Sequence, residues 1–213
     1  MNTVLVNMFL SYLIGSIPTS IILSKFFAGI DIREHGSGNA GGTNVFRVLG
    51  WKFGLVVMVV DILKGTAATL YISQFQFFGL PNIEIFQIKI LCGVSAILGH
   101  VWTIFAKFRG GKGVATGIGM MIALSPIDIT MAILVFILII KITKYVSLGS
   151  MIGISIVPIS IFIRKNLLNH SIEGFNFLIW TTIAMSLFII FTHRSNIKRL
   201  MNGNENKISF RKK

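Results

Sequence analysis

The sequence predicts an all-α integral membrane protein: a bundle of about seven membrane-embedded helices forming a single domain over residues 1–213, with a polar, basic tail from about 195. Two observations carry this. Of 213 residues, 54% are hydrophobic and only 13% charged, with a mean hydropathy of +0.80. A soluble domain of this length needs more charge on its surface. Several apolar runs also approach the roughly 20 residues that span a bilayer.

Seven apolar segments stand at roughly 3–24, 53–78, 86–106, 113–125, 127–142, 147–164 and 175–193. Each is expected to be helical, because a spanning segment must satisfy its own backbone hydrogen bonds. The first lacks a basic flank before it and a small-residue cleavage site, so it reads as a retained helix and not a signal peptide. It contains GSIPTS, where Pro18 predicts a kink. The second carries Asp61 and Lys64 at i,i+3 on one helix face, expensive charges in a membrane. They read either as a functional pair or as a self-neutralising packing pair. The third carries His100 near its end, a substrate-site candidate beside its plainer role as a packing residue. The fourth and fifth are short, broken by Ser125, Pro126 and Asp128, and read as two short crossings or a re-entrant hairpin. Pro158 makes the sixth another kink candidate.

Between these runs the polar residues gather in a few stretches. Arg33 to Phe53 reads REHGSGNAGGTNVFRVLGWKF. Its glycines allow backbone N–H groups to approach a ligand closely. Ser37, Asn39, Thr43 and Asn44 add side-chain donors, and Arg47 adds a planar fork that suits phosphate oxygens. With Gly38 and Gly41, these are candidate binding residues for an anion, against the plainer reading of a cytoplasmic turn. Gly36-x-Gly38-x-x-Gly41 matches the dinucleotide fingerprint only in form, since an apolar helix and not a strand precedes it. A second glycine-rich stretch, KFRGGKGVAT, opens the fourth segment. There Gly110, Gly111, Lys112, Gly113 and Thr116 are the candidates, with Lys112 aiming a charge and the helix N-terminus offering N–H groups. It is not a Walker A loop, because glycine follows the lysine. Ser147 and Ser150 share a face at the start of the sixth segment, where N-capping is the plainer role. THRSNIKRL ends the seventh and groups His193 with Asn196.

The net charge of +13 does not indicate nucleic acid, because the basic residues sit at helix ends and in the tail, where anionic lipid headgroups lie. With the N-terminus outside and seven crossings, the inner loops and tail collect the basic residues from Lys25 to Lys112, Lys141, Lys144 and those from Arg194 to Lys213. Lys64 and Lys89 lie within segments, and only Arg164 and Lys165 fall outside. All four polar stretches then face the cytoplasm. Cys92, the single cysteine, permits neither an intrachain disulfide nor a cysteine metal cluster, and no metal or cofactor is expected.

The stretches GSIPTS, GSGNAGGTNVFRVLG, DILKG, GHVWTIFAKFRGGKGVAT, YVSLGS and HRSNIKRL run through the chain in order. Together they resemble the bacterial acyl-phosphate:glycerol-3-phosphate acyltransferases, the PlsY family. Two departures stand out: the family usually reads GATN where this chain has Gly41-Gly42-Thr43-Asn44, and usually has proline where Thr103 stands. The resemblance implies transfer of a fatty acyl group from acyl phosphate to the 1-hydroxyl of glycerol 3-phosphate, giving lysophosphatidate and phosphate in the bacterial plasma membrane, as the first step of phospholipid synthesis. The partners implied are those two substrates, membrane lipids and the soluble enzyme that makes acyl phosphate. The catalytic candidates are His193, Asn196, Ser37 and Lys112. The general base is open between His193 and a phosphate oxygen of the donor, since no histidine has an aspartate five residues on. A transporter for a phosphorylated metabolite is the competing class. It is disfavoured because no internal repeat is visible and the polar stretches lie at helix ends.

Overall fold

A computed structural model describes residues 2–77 and 83–208. Phe78, Arg211, Lys212 and Lys213, counted above, lie outside the described residues. Among the described residues all regular structure is helical. In chain order the helices are α1 (Asn2–Ser16), α2 (Thr19–Ala28), α3 (Gly42–Leu49), α4 (Trp51–Leu70), α5 (Ile85–Val101), α6 (Val114–Leu124), α7 (Pro126–Thr143), α8 (Val146–Asn166), α9 (Phe175–Thr192) and α10 (Arg194–Met201). Short 3₁₀ turns at Ile32–Glu34, Ile72–Gln74 and Ile104–Ala106 link them. Among the described residues six stretches are long and apolar enough to cross a membrane, counting α1 and α2 as one, and α6 is a shorter apolar helix. Of the two segments expected to be short, only the fourth is; the fifth becomes the 18-residue α7.

The described residues fall into two compact units, Met1–Ser125 and Pro126–Lys213. In the first, helices meet through small residues, as membrane packing favours. A Cβ on Gly15 would fall 2.1 Å from the Ala96 carbonyl oxygen, and one on Gly99 would fall 2.1 Å from that of Tyr12, so α1 and α5 touch backbone to backbone. Gly65 against Thr116 and Gly119 against Ile62 join α4 to α6 in the same way. At Pro18 the first span breaks outright. Proline offers no N–H, α1 ends at Ser16, and Thr19 N turns back to Ile17 O at 3.0 Å. Pro158, by contrast, sits inside α8, which runs through it.

The second unit is built on α7, α8 and α9. Asp128, fully buried in the first turn of α7, accepts from Ser160 Oγ and from Arg164, both near the end of α8, at 2.6 Å each. Arg164 is therefore half of a buried pair and not simply a loop charge. Ser186 Oγ on α9 donates to Ile154 O on α8 at 3.0 Å. The chain beyond 195 reads in the sequence as a polar, basic tail. It forms α10 and returns, with Ile208 N donating to Lys144 O at 2.9 Å.

Candidate active site

In the first unit, the loop from Asp31 to Gly41 is folded by its own polar residues. Asp31 caps the turn that follows it and holds the Arg33 guanidinium in a fork, Nε to Oδ1 at 3.0 Å and NH2 to Oδ2 at 2.7 Å. That hydrogen-bonded guanidinium holds the Asp31 carboxyl well below the usual carboxylate range, and Asp31 in turn raises Arg33. Arg33 NH1 also donates to Ala106 O at 2.9 Å, tying this loop to the second glycine-rich stretch. Asn44, 2% exposed, closes the loop from inside. Its Nδ2 reaches the carbonyls of Ile32, His35 and Asn39 at 2.9–3.1 Å, and its Oδ1 accepts from Ser37 N at 2.8 Å. Gly36 and Gly38 adopt φ of +61° and +71°, and a Cβ on Gly36 would strike Asn44 Oδ1. Beneath the loop a small core of Ile21, Ile32, Ala40, Val45 and Val57 anchors it to α2, α3 and α4. Ser37, Asn39, Gly41, Thr43 and Arg47 are all half-buried, and Gly38 is exposed.

The second stretch turns against the end of α5. Gly110 N donates to Val101 O at 3.1 Å and Gly111 N to His100 O at 3.0 Å, so the turn caps the helix's last carbonyls. Lys112 follows, half-buried, and Gly113 in the left-handed region starts α6. Thr116, fully buried, lies in the first turn of α6. Asp61, Lys64 and His100 come together with Gly110 and Gly111 around a small cleft, which Ile17, Pro18, Thr19, Ala40 and Thr103 complete. Lys64 Nζ lies 2.8 Å from Asp61 Oδ1 and donates to Ile17 O, at the helix break, at 3.2 Å. Thr103 Oγ1 donates to Ser16 O. Its φ of −66° is the value proline imposes, so the backbone accommodates either residue there.

The second unit gathers a different set around Glu205. Ser147 Oγ and Asn196 Nδ2 both donate to Glu205 Oε1, at 2.8 and 2.7 Å, while Arg199 Nε donates to Oε2 at 2.7 Å. Burial works to raise this carboxyl, but the bonds from Asn196, Arg199 and Ser147 outweigh it and hold it below its ordinary value. Ser150 instead donates to Val146 O of its own helix at 3.0 Å. His193 is 3% exposed, with Nδ1 at 2.8 Å from Ile189 O. A carbonyl can only accept, so Nδ1 carries the proton and Nε2 is the ring's basic nitrogen when neutral. Sequence reasoning missed Glu205. Its signal was that it is the lone acid after Glu173 in a strongly basic stretch. Thr19 and the Asp31–Arg33 fork were also missed, and neither carries a comparable signal.

A helical bundle of this hydropathy, with two glycine-rich basic turns at helix ends and a small buried polar cleft between helices, defines an integral membrane protein. The family described as glycerol-3-phosphate acyltransferase matches residues 5–203. The glycerol-3-phosphate acyltransferase of Chlorobaculum parvum is 46% identical, covering 99% of this chain and 98% of the relative, and that of Chlorobaculum tepidum is 44% identical over the whole of both. A crystal structure of PlsY (YgiH), an integral membrane glycerol 3-phosphate acyltransferase in its glycerol 3-phosphate form, superposes with a TM-score of 0.82 at 32% identity, covering 97% of this chain and 96% of that one. Its lysophosphatidic acid form gives 0.79 at 31% identity, covering 97% and 95%. The chain belongs to the PlsY-type glycerol-3-phosphate acyltransferase family of integral membrane enzymes.

Proposed function

We propose that the protein transfers a fatty acyl group from acyl phosphate to the 1-hydroxyl of glycerol 3-phosphate. The hydroxyl oxygen attacks the acyl carbonyl carbon, a tetrahedral oxyanion forms, and the carbon–oxygen bond to phosphate breaks. Lysophosphatidate and inorganic phosphate leave, and the hydroxyl proton passes to His193 Nε2 or to a phosphate oxygen of the donor. Acyl phosphate is a mixed anhydride, already activated, so binding, orientation and oxyanion stabilisation suffice and no acyl-serine is needed. The observation that carries this reading is the pair of glycine-rich turns in the first unit, tied by the Arg33–Ala106 bond, with Arg47 on the helix that follows the first and Lys112 in the second. Both substrates carry phosphate, and each turn suits one. Ser37 is the hydroxyl assigned to a phosphate or the oxyanion. In the second unit His193 and Asn196 are assigned to the reacting hydroxyl, with Ser147 held beside Asn196 through Glu205.

The turns are tested by substitution. Arg47→Lys keeps the charge and loses the planar fork, and is expected to lower kcat/KM despite that conservatism. Lys112→Ala is expected to lower it further, by roughly 10²-fold, the scale of one lost charge-assisted contact. Wild-type kinetics in both variants at normal protein levels would remove the reading. The site is assigned to the cytoplasmic side of a bacterial plasma membrane, with the N-terminus outside.

A further inference from the structure

Behind the Gly110–Lys112 turn stand three ionisable side chains that acyl transfer does not consume. Asp61, Lys64 and His100 are 2%, 6% and 7% exposed. Charges this enclosed within a membrane are costly to keep, and a self-neutralising pair could be replaced by apolar residues of like volume at little cost. Their arrangement shows what they hold. Asp61 Oδ1 accepts from Lys64 Nζ at 2.8 Å and from Thr19 Oγ1 at 3.3 Å, and lies 3.7 Å from His100 Nδ1. Lys64 also grips Ile17 O at the helix break. The Nδ1 edge of the imidazole therefore stands beside the Asp61 carboxylate of α4, which Lys64 and Thr19 of α2 hold in place. Its other nitrogen carries the turn: a Cβ on Gly111 would fall 2.1 Å from His100 Nε2, and one on Gly110 would fall 2.0 Å from His100 O. Gly111 N donates to that same carbonyl. The turn therefore rests directly on His100, and Lys112 is the next residue.

We propose that Asp61, Lys64 and His100 are positioning residues for Lys112: the buried pair fixes the His100 ring, the ring seats Gly111, and that seat sets where the Lys112 ammonium meets phosphate. The inference rests on the phosphate role of Lys112 proposed above. Displacement of a binding group by about 1 Å can cost on the order of 10²-fold, so a seat of this kind has kinetic consequences.

The test neutralises the pair without stranding a buried charge, as Asp61→Asn combined with Lys64→Met, in the full-length protein. The variant is expected to raise KM by roughly ten- to a hundredfold for the same substrate whose KM Lys112→Ala raises, with kcat changed less. Adding Lys112→Ala to it is expected to cost much less than the product of the separate losses, because a misplaced ammonium has little left to lose. A purely packing role predicts a lower Tm, unaltered KM and losses that multiply, and that result overturns the inference. If the neutralised pair does not accumulate in the membrane, His100→Gln takes its place under the same criteria. Wild-type kinetics for Lys112→Ala would overturn the phosphate reading itself, which separates that failure from failure of the positioning role alone.

Discussion

Glu205 shows how one side chain organises its surroundings. Its carboxylate accepts from α8 through Ser147 and from α10 through Asn196 and Arg199, while its side chain is only 1% exposed. Hydrogen bonds to a charged group contribute about 1.5–3 kcal/mol each, and removing the acceptor takes the partner from two buried donors, Ser147 and Asn196, and from half-buried Arg199. Its carboxyl is held below the ordinary glutamate value, so the contribution is complete above that value and is lost as pH falls through the folded value. Amide protection over residues 202–208, measured against the intrinsic exchange rate at each pH, is therefore expected to be high at neutral pH and to be lost as the pH falls below the ordinary glutamate value. Glu205→Gln should give fast exchange already at neutral pH. Equal protection in wild type and Glu205→Gln would show that the segment is held by something else. Asn44 teaches the complementary lesson. Loop composition marks it as a polar group near an anion, but composition carries no direction. Its amide turns inward to three backbone carbonyls and a backbone N–H, so it shapes the loop that presents Ser37.

At the scale of elements, what the sequence made legible was whatever depends on local chemistry. Hydropathy located the spans, because only internally bonded apolar helices are stable in lipid. Pro18 marked an interruption, because a residue without an N–H cannot continue the ladder. The glycine-rich turns were legible for the same reason. What was not legible depends on contacts distant in sequence. At the break after Pro18, the Ile17 carbonyl accepts both from Thr19 N and from Lys64, a residue far along the chain. Ser125, Pro126 and Asp128 read as a break between two short segments. Yet α7 is full length, and Asp128 belongs to its buried first turn because Ser160 and Arg164 arrive from the end of α8 to satisfy it. The tail reads as simply polar and basic because its one acid is outnumbered. Only the fold reveals that this acid meets Arg199, Asn196 and Ser147.

At the scale of the whole molecule, charge asymmetry is the observation that orients the chain. Basic residues crowd the glycine-rich loops and the tail and are sparse elsewhere, which is the ground for the proposed cytoplasmic placement of those regions. Cysteines at Glu34 and Asn204, both exposed, are expected to react with an impermeant reagent from the cytoplasmic side, and one at exposed Asn169 from the opposite side. Native Cys92 is buried and should stay silent. Labelling of positions 34 and 204 from opposite sides would refute the topology. The central claim concerns the donor, and purified protein tests it with glycerol 3-phosphate and each activated acyl compound in turn. Acyl phosphate is expected to give lysophosphatidate and inorganic phosphate in equal amounts, while acyl coenzyme A and acyl carrier protein thioesters give none. Lysophosphatidate formed from a thioester, with acyl phosphate inert, would contradict the account.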